Sequence, residues 1–190
     1  EKAGLRLYLG SYPITPATDV LHELSKHKSC GVITVQCEDE ISGCASALGA
    51  SFAGALGVTS TSGPGICLKS EAMNLAVIME LPLVVLDVQR GGPGLGGIQP
   101  AQSDYNQMTK GLGHGDMHML VIAPSTIQEM ASLTGKAFDL ADKYRMPAML
   151  LADGALGQMM EPVDLDGISS DSLPEKPWAC LLYTSPSPRD

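Results

Sequence analysis

No run of Lys or Arg offers a track for phosphates in this chain of 190 residues, where 12 basic side chains stand against 21 acidic ones and the formal charge is −9. That balance argues against a nucleic-acid binder. No stretch approaches the roughly twenty apolar residues needed to cross a bilayer, and no basic segment precedes an apolar signal core. A soluble cytoplasmic protein without a membrane or nucleic-acid partner is therefore the expectation. Paired cysteines are also missing: Cys30, Cys37, Cys44, Cys67 and Cys180 never form Cys-x-x-Cys. Without that spacing the chain itself is not expected to hold an iron–sulfur cluster or a structural zinc, and free thiols in a reducing compartment are the simplest state. Charged residues make up only 17% of the chain against 44% hydrophobic ones, enough for one α/β domain.

What is present is alternation. Short apolar or β-branched runs at 5–9, 32–35, 56–60, 83–88, 119–123 and 148–151 read as strands. The run at 83–88 is almost continuously apolar, as a central parallel strand requires. Helical stretches fall between them, from about 16 to 28, 41–55, 66–79, 102–110 and 125–145. The 41–55 helix is rich in Ala and Gly, which permits tight contact with a sheet or another helix. Leu68, Met73, Leu75 or Ala76, and Met79 are expected to form the inward face of the 66–79 helix. Ser125 with Gln128 reads as a capping box for the last helix, whose apolar positions Ile127, Met130, Leu133, Ala137, Leu140, Ala141 and Tyr144 keep the helical period. The ten methionines fall mostly at such positions and read as core.

This pattern predicts an open, doubly wound, mostly parallel α/β sheet over residues 1–163. Residues 164–179 are expected to be a linker toward a further C-terminal domain. Residues 1–4 read as the middle of a helix cut by the start of the chain. Residues 180–190 look like the translation of a sequencing adapter and are set aside.

Four expected strand ends carry polar or glycine-rich segments: Tyr12-Pro-Ile-Thr-Pro16, Glu38-Asp-Glu40, Thr61-Ser-Gly-Pro-Gly65 and Gln89-Arg-Gly-Gly-Pro93. In an open parallel sheet all four emerge along one edge, where ligands bind. Glu40 opens the Ala/Gly helix, close to backbone and poor in water, a setting suited to sharing a proton with a bound ring nitrogen. Glu38 and Asp39 read as strand-end or cap residues. Arg90, between a strand and two glycines, is placed to meet a carboxylate bidentately. Thr15 stands in a proline-held loop that would present its hydroxyl at low entropic cost. Gly92-Pro-Gly-Leu-Gly-Gly97 satisfies a dinucleotide fingerprint, but no apolar-periodic helix follows it, so that reading fails.

The four segments in this order, within a match from about residue 5 to 178, resemble the alpha subunit of the thiamine-diphosphate-dependent 2-oxoacid:ferredoxin oxidoreductases. The resemblance implies the pyrimidine-binding domain of a thiamine enzyme, with Glu40 as the carboxylate beside the aminopyrimidine ring. It implies Thr15 and Arg90 as substrate contacts, and Ser62, Gly63, Pro64 and Gly65 lining the cofactor pocket. It implies oxidative decarboxylation of a 2-oxoacid with coenzyme A, giving an acyl-CoA and CO2 and reducing ferredoxin. Mg²⁺ and [4Fe-4S] clusters would belong to partners: a beta subunit carrying the diphosphate/Mg²⁺ domain, and an iron–sulfur subunit or ferredoxin. The fragment alone would be inactive.

The loop at 92–96, with Gln102-Ser-Asp104, Gly113-His-Gly-Asp116 and the 157–162 segment, looks more like the branched-chain subtype. Glu38-Asp-Glu40 and the Arg90 region look more like the 2-oxoglutarate subtype, so the substrate stays open. His114 reads equally as a pocket residue or as an inert loop histidine. The rival readings are another thiamine enzyme, of decarboxylase or transketolase type, and a non-catalytic scaffold subunit.

Overall fold

The computed structural model describes residues 5–166 and 168. The expectations for residues 1–4, for most of the linker and for 180–190 lie outside the described residues. Six strands form one sheet in the order β2-β1-β3-β4-β6-β5, with every neighbouring pair parallel. They are β1 (Leu7–Ser11), β2 (Ile33–Gln36), β3 (Leu56–Thr61), β4 (Leu83–Gln89), β5 (Leu120–Ile122) and β6 (Pro147–Asp153). The helices between them are α1 (Thr18–Leu24), α2 (Glu40–Phe52), α3 (Pro64–Ile78), α4 (Tyr105–Lys110) and α5 (Ile127–Tyr144), with a short α6 (Gly154–Gln158) after β6. No helix among the described residues is long and apolar enough to cross a membrane.

Side chains leave a strand alternately to its two faces, and β4 divides its apolar run accordingly. Val84, Leu86 and Val88 join a core with Leu9, Val58, Ala137, Ala141 and Leu150, beneath α1 and α5. Leu83 and Val85 join Ala47, Leu48, Ile66, Met73 and Met149, beneath α2 and α3. Both faces are covered, which is why the run reads as continuously apolar. Each fully buried side chain of this size stabilises by roughly 1.5–3 kcal/mol.

The chain winds outward from β1 in two directions, to β2 and to β3, so the order reverses between β1 and β3. At that point α2 lies very close to the sheet. A Cβ at Gly10 would come within 2.5 Å of the Gly43 carbonyl oxygen, and one at Gly57 within 2.5 Å of the Ala47 carbonyl oxygen. The small-residue face of α2 thus brings backbone against backbone, as its composition predicts.

Two details differ from expectation. On α3 the inward residues are Ile66, Lys69, Met73 and Ala76, whereas Leu68, Leu75 and Met79 are exposed. The wholly buried Lys69 holds an apolar-face position, and periodicity counted on apolar letters alone drifted off it. On α5 the cap lies one residue further on: Thr126 is the N-cap and its hydroxyl accepts from the Glu129 amide at 3.1 Å. The Glu129 carboxylate in turn accepts from the Ser125 amide at 2.8 Å and hydroxyl at 2.7 Å. Gln128 instead holds the backbone of Asp164, accepting from its amide at 2.8 Å and donating to its carbonyl at 2.9 Å.

Candidate functional site

The C-terminal ends of β1, β3 and β4 meet where the strand order reverses, the place where open parallel sheets take ligands. Hydroxyls line this edge. Ser11 and Ser60, both buried, share a hydrogen bond at 2.9 Å between β1 and β3. Beyond them the Thr61 and Ser62 hydroxyls are buried with no hydrogen-bond partner.

Glu40 stands at the first position of α2, held there by its neighbour. Asp39 is the N-cap: its carboxylate accepts from the Ser42 amide at 2.7 Å, and the Ser42 hydroxyl closes a capping box. Those hydrogen bonds hold the Asp39 carboxyl below the usual carboxylate range. Glu38 is exposed. Asp39 therefore takes the cap role and leaves Glu40 to turn inward, where it is only 7% exposed. Its carboxylate lies against Gly65. A Cβ on Gly65 would sit 2.8 Å from Glu40 Oε1 and would also strike the Thr61 hydroxyl. Only glycine leaves room for this acid.

Arg90 lies on the other side of the same turn. Its side chain packs over Gly63, where a Cβ would meet Arg90 Cγ at 3.2 Å and where φ is +47°. The guanidinium is buried, and donates to the Thr15 carbonyl at 2.7 Å and to the Leu95 carbonyl at 3.0 Å. The Nε–H has no partner. Arg90 thereby ties the 12–16 loop to the glycine-rich 91–97 loop, which is closed by the Gly91 amide donating to Gln99 at 2.9 Å. A cleft of about 590 Å³ opens here, lined by Gly63, Pro64, Arg90, Leu95, Ser103 and Asp104 among others.

The residues singled out from the sequence thus form two adjoining groups. Thr15, Arg90 and Gly63 are in one; Glu40, Gly65 and Thr61 are in the other; the Gly63-Pro64-Gly65 turn joins them. Thr15 and Tyr12 are both exposed. His114 lies elsewhere, lining a hollow beside the outer half of α3 with Asn74 and Ile78. The dinucleotide-like segment leads into no helix until Tyr105, so its rejection stands.

Two buried charged residues, Lys69 and Asp87, escaped the sequence reading, and the half-buried Asp104 was not singled out for its charge. Lys69 is wholly buried beneath α3; its ammonium donates to the Thr59 hydroxyl at 2.8 Å and to the Glu40 carbonyl at 3.3 Å. Burial pulls its pKa down, opposed by the neighbouring Cys44, Glu40, Cys37 and Asp39. Asp87 is wholly buried in β4 with neither carboxyl oxygen hydrogen-bonded, and burial, with Asp104 nearby, pushes it up to about 8. The Gly63 amide opposes that shift without meeting hydrogen-bond geometry. Asp104 is also raised by burial, with Arg90 pulling the other way. The signal available beforehand was a charged letter inside an apolar strand, at Asp87 in β4; α3 also carries Ser70, Glu71 and Asn74, so Lys69 did not stand out.

A buried carboxylate at a helix start, orphaned hydroxyls and a glycine turn at the β1/β3 reversal suit a flat, nitrogen-bearing ring, and the fold is that of a thiamine-diphosphate-binding pyrimidine domain. The chain belongs to the family described as pyruvate flavodoxin/ferredoxin oxidoreductase, thiamine diphosphate-binding, whose model matches residues 2–177.

It is 48% identical over 178 residues to the ketoisovalerate oxidoreductase subunit VorB of Methanothermobacter thermautotrophicus, covering 93% of this chain and 50% of that protein. It is 53% identical over 163 residues to the 2-oxoglutarate oxidoreductase subunit KorA of Mycobacterium tuberculosis, covering 85% of this chain and 25% of that protein. Among solved structures, the 2-oxoglutarate:ferredoxin oxidoreductase of Magnetococcus marinus superposes with a TM-score of 0.78 at 42% identity, over 82% of this chain and 27% of that one. The chain therefore spans half or less of the length of these relatives.

Proposed function

We propose that this chain supplies the pyrimidine-binding side of the active site in a 2-oxoacid:ferredoxin oxidoreductase, which converts a 2-oxoacid and coenzyme A to an acyl-CoA and CO2 while reducing ferredoxin. The observation that carries the reading is Glu40, buried against Gly65 at the β1/β3 reversal in a chain of this family. Thiamine diphosphate, when bound, supplies a ring carbon able to add to the 2-oxo group and an aminopyrimidine that exchanges a proton with the protein. Glu40 holds that proton at the ring nitrogen. Gly65 and the unpartnered Thr61 and Ser62 hydroxyls line the ring's seat with Gly63 and Pro64.

Arg90 and Thr15 receive the substrate. Two carbonyl contacts fix the guanidinium in place, its Nε–H stays unsatisfied in the cleft, and among the described residues Asp104 feels its charge without forming an ion pair with it. A buried cation in that condition favours an anionic ligand. Mg²⁺, the [4Fe-4S] clusters and the diphosphate grip are assigned to the beta and iron–sulfur subunits, so the complete site is an interface. The relatives named for ketoisovalerate and for 2-oxoglutarate support a 2-oxoacid as substrate and leave its side chain open.

The test is to purify the chain with its partner subunits, thiamine diphosphate and coenzyme A, and to follow viologen reduction with pyruvate, 2-oxoglutarate and 2-oxoisovalerate. One of the three should be turned over. Glu40→Gln in that complex should lower kcat by about 10²-fold or more, in the range of general acid–base contributions, with assembly unchanged. Full activity in Glu40→Gln would refute the reading.

A further inference from the structure

Lys69 is a wholly buried ammonium on a helix face whose other inward residues are Ile66, Met73 and Ala76. Methionine would fill the same space without a charge to desolvate, so packing alone does not account for a lysine. Its position is one helical turn after Gly65, the glycine that makes room for the Glu40 carboxylate. Its ammonium reaches the Glu40 carbonyl at 3.3 Å and the Thr59 hydroxyl at 2.8 Å, linking the first turn of α2 to β3.

We propose that Lys69 is a positioning residue for Glu40, tethering the first turn of α2 and supplying the buried positive charge against which the Glu40 carboxylate is held. This rests on the reading of Glu40 as the acid that faces the cofactor ring. The groups that share the field of Lys69 are Glu40 and Cys44 on α2, and Cys37 and Asp39 in the turn before it; β3 contributes the uncharged Thr59. Of the two thiols, Cys44 is pushed up to about 11 by burial, so near neutral pH it carries no charge to compete for the ammonium. The ammonium therefore acts mainly on the carboxylates. It holds the Glu40 carboxylate at the seat of the ring, where that group accepts a hydrogen bond from a protonated ring nitrogen.

The experiment uses the assembled complex carrying Lys69→Met, Lys69→Gln or Glu40→Gln, with three readouts: thermal unfolding, thiamine diphosphate affinity by calorimetry, and kcat and KM against pH. Lys69→Met should fold but melt below the parent, because the Glu40 carboxylate and the Thr59 hydroxyl lose the buried group they face. It should bind thiamine diphosphate at least tenfold more weakly, and the acid limb of kcat should move up by about one pH unit, with KM for the 2-oxoacid unchanged. Lys69→Gln keeps hydrogen-bonding capacity without charge and should show the same pH displacement, which decides the matter should the methionine variant fold poorly. Parent-like cofactor affinity and pH profile in a folded Lys69 variant, with Glu40→Gln inactive, would overturn the role of Lys69 alone. An active Glu40→Gln would overturn the reading of Glu40, and the proposal with it.

Discussion

Asp87 occupies the middle of the most deeply buried strand, where a carboxylate without hydrogen bonds keeps its proton well above the usual range, to about 8. The folded state therefore binds one more proton than the unfolded chain between about pH 4 and pH 8. Its contribution falls as pH rises through that window and is fully unfavourable above it. Asp87→Asn removes this dependence. Relative to the parent, its unfolding free energy should gain up to about 1.4 kcal/mol per pH unit across the window, as urea denaturation at a series of pH values would measure. Gly65 makes the opposite point, since there the absence of a side chain is what matters. Gly65→Ala places a Cβ 2.8 Å from Glu40 Oε1. It should cost roughly 1–3 kcal/mol of stability and weaken thiamine diphosphate binding in the complex, read by thermal unfolding and by cofactor titration.

At the scale of elements, the two helix starts at the head of α2 and α5 are capped by different means, and each cap positions something beyond itself. In α2 the Asp39–Ser42 box leaves the next residue, Glu40, facing inward. In α5 the Thr126 hydroxyl and the Glu129 carboxylate close the first turn, and Gln128 is left to hold the backbone at Asp164. Thr126→Ala should lower stability by ~1 kcal/mol, visible as a shift in the urea midpoint with unchanged slope, and should leave catalysis in the complex alone. The shift of this cap by one residue from the Ser125/Gln128 expectation has a simple cause. Ser125 and Thr126 are both competent caps with an acceptor-bearing residue three positions on, so the sequence admits two registers. The Asp164 backbone, far along the chain, takes up Gln128 and selects one.

For the whole molecule, the open sheet places the proposed binding edge at the β1/β3 reversal. Glu40 and Arg90 are buried in the chain, whereas the cleft beside Arg90 is open. On the proposed reading the other wall comes from a partner subunit. The isolated chain should then bind thiamine diphosphate at least tenfold more weakly than the assembled complex does, and should reduce no viologen with any 2-oxoacid. Equal affinity in the two, by calorimetry, would place the whole cofactor site in this chain.

The sequence by itself determined the six strands, the helices between them, the doubly wound class and the strand-end segments that hold Thr15, Glu40, Gly63, Gly65 and Arg90. These follow from period, composition and turn chemistry, which act over a few residues and are written locally. What only the tertiary structure decided is how distant residues share space. It turned Lys69 inward to Glu40, sank Asp87 beneath Gly63, tied Arg90 to the carbonyls of Thr15 and Leu95, and chose Thr126 over Ser125 as a cap. Burial of a charge depends on what the rest of the chain packs over it, and no window of neighbouring residues contains that information.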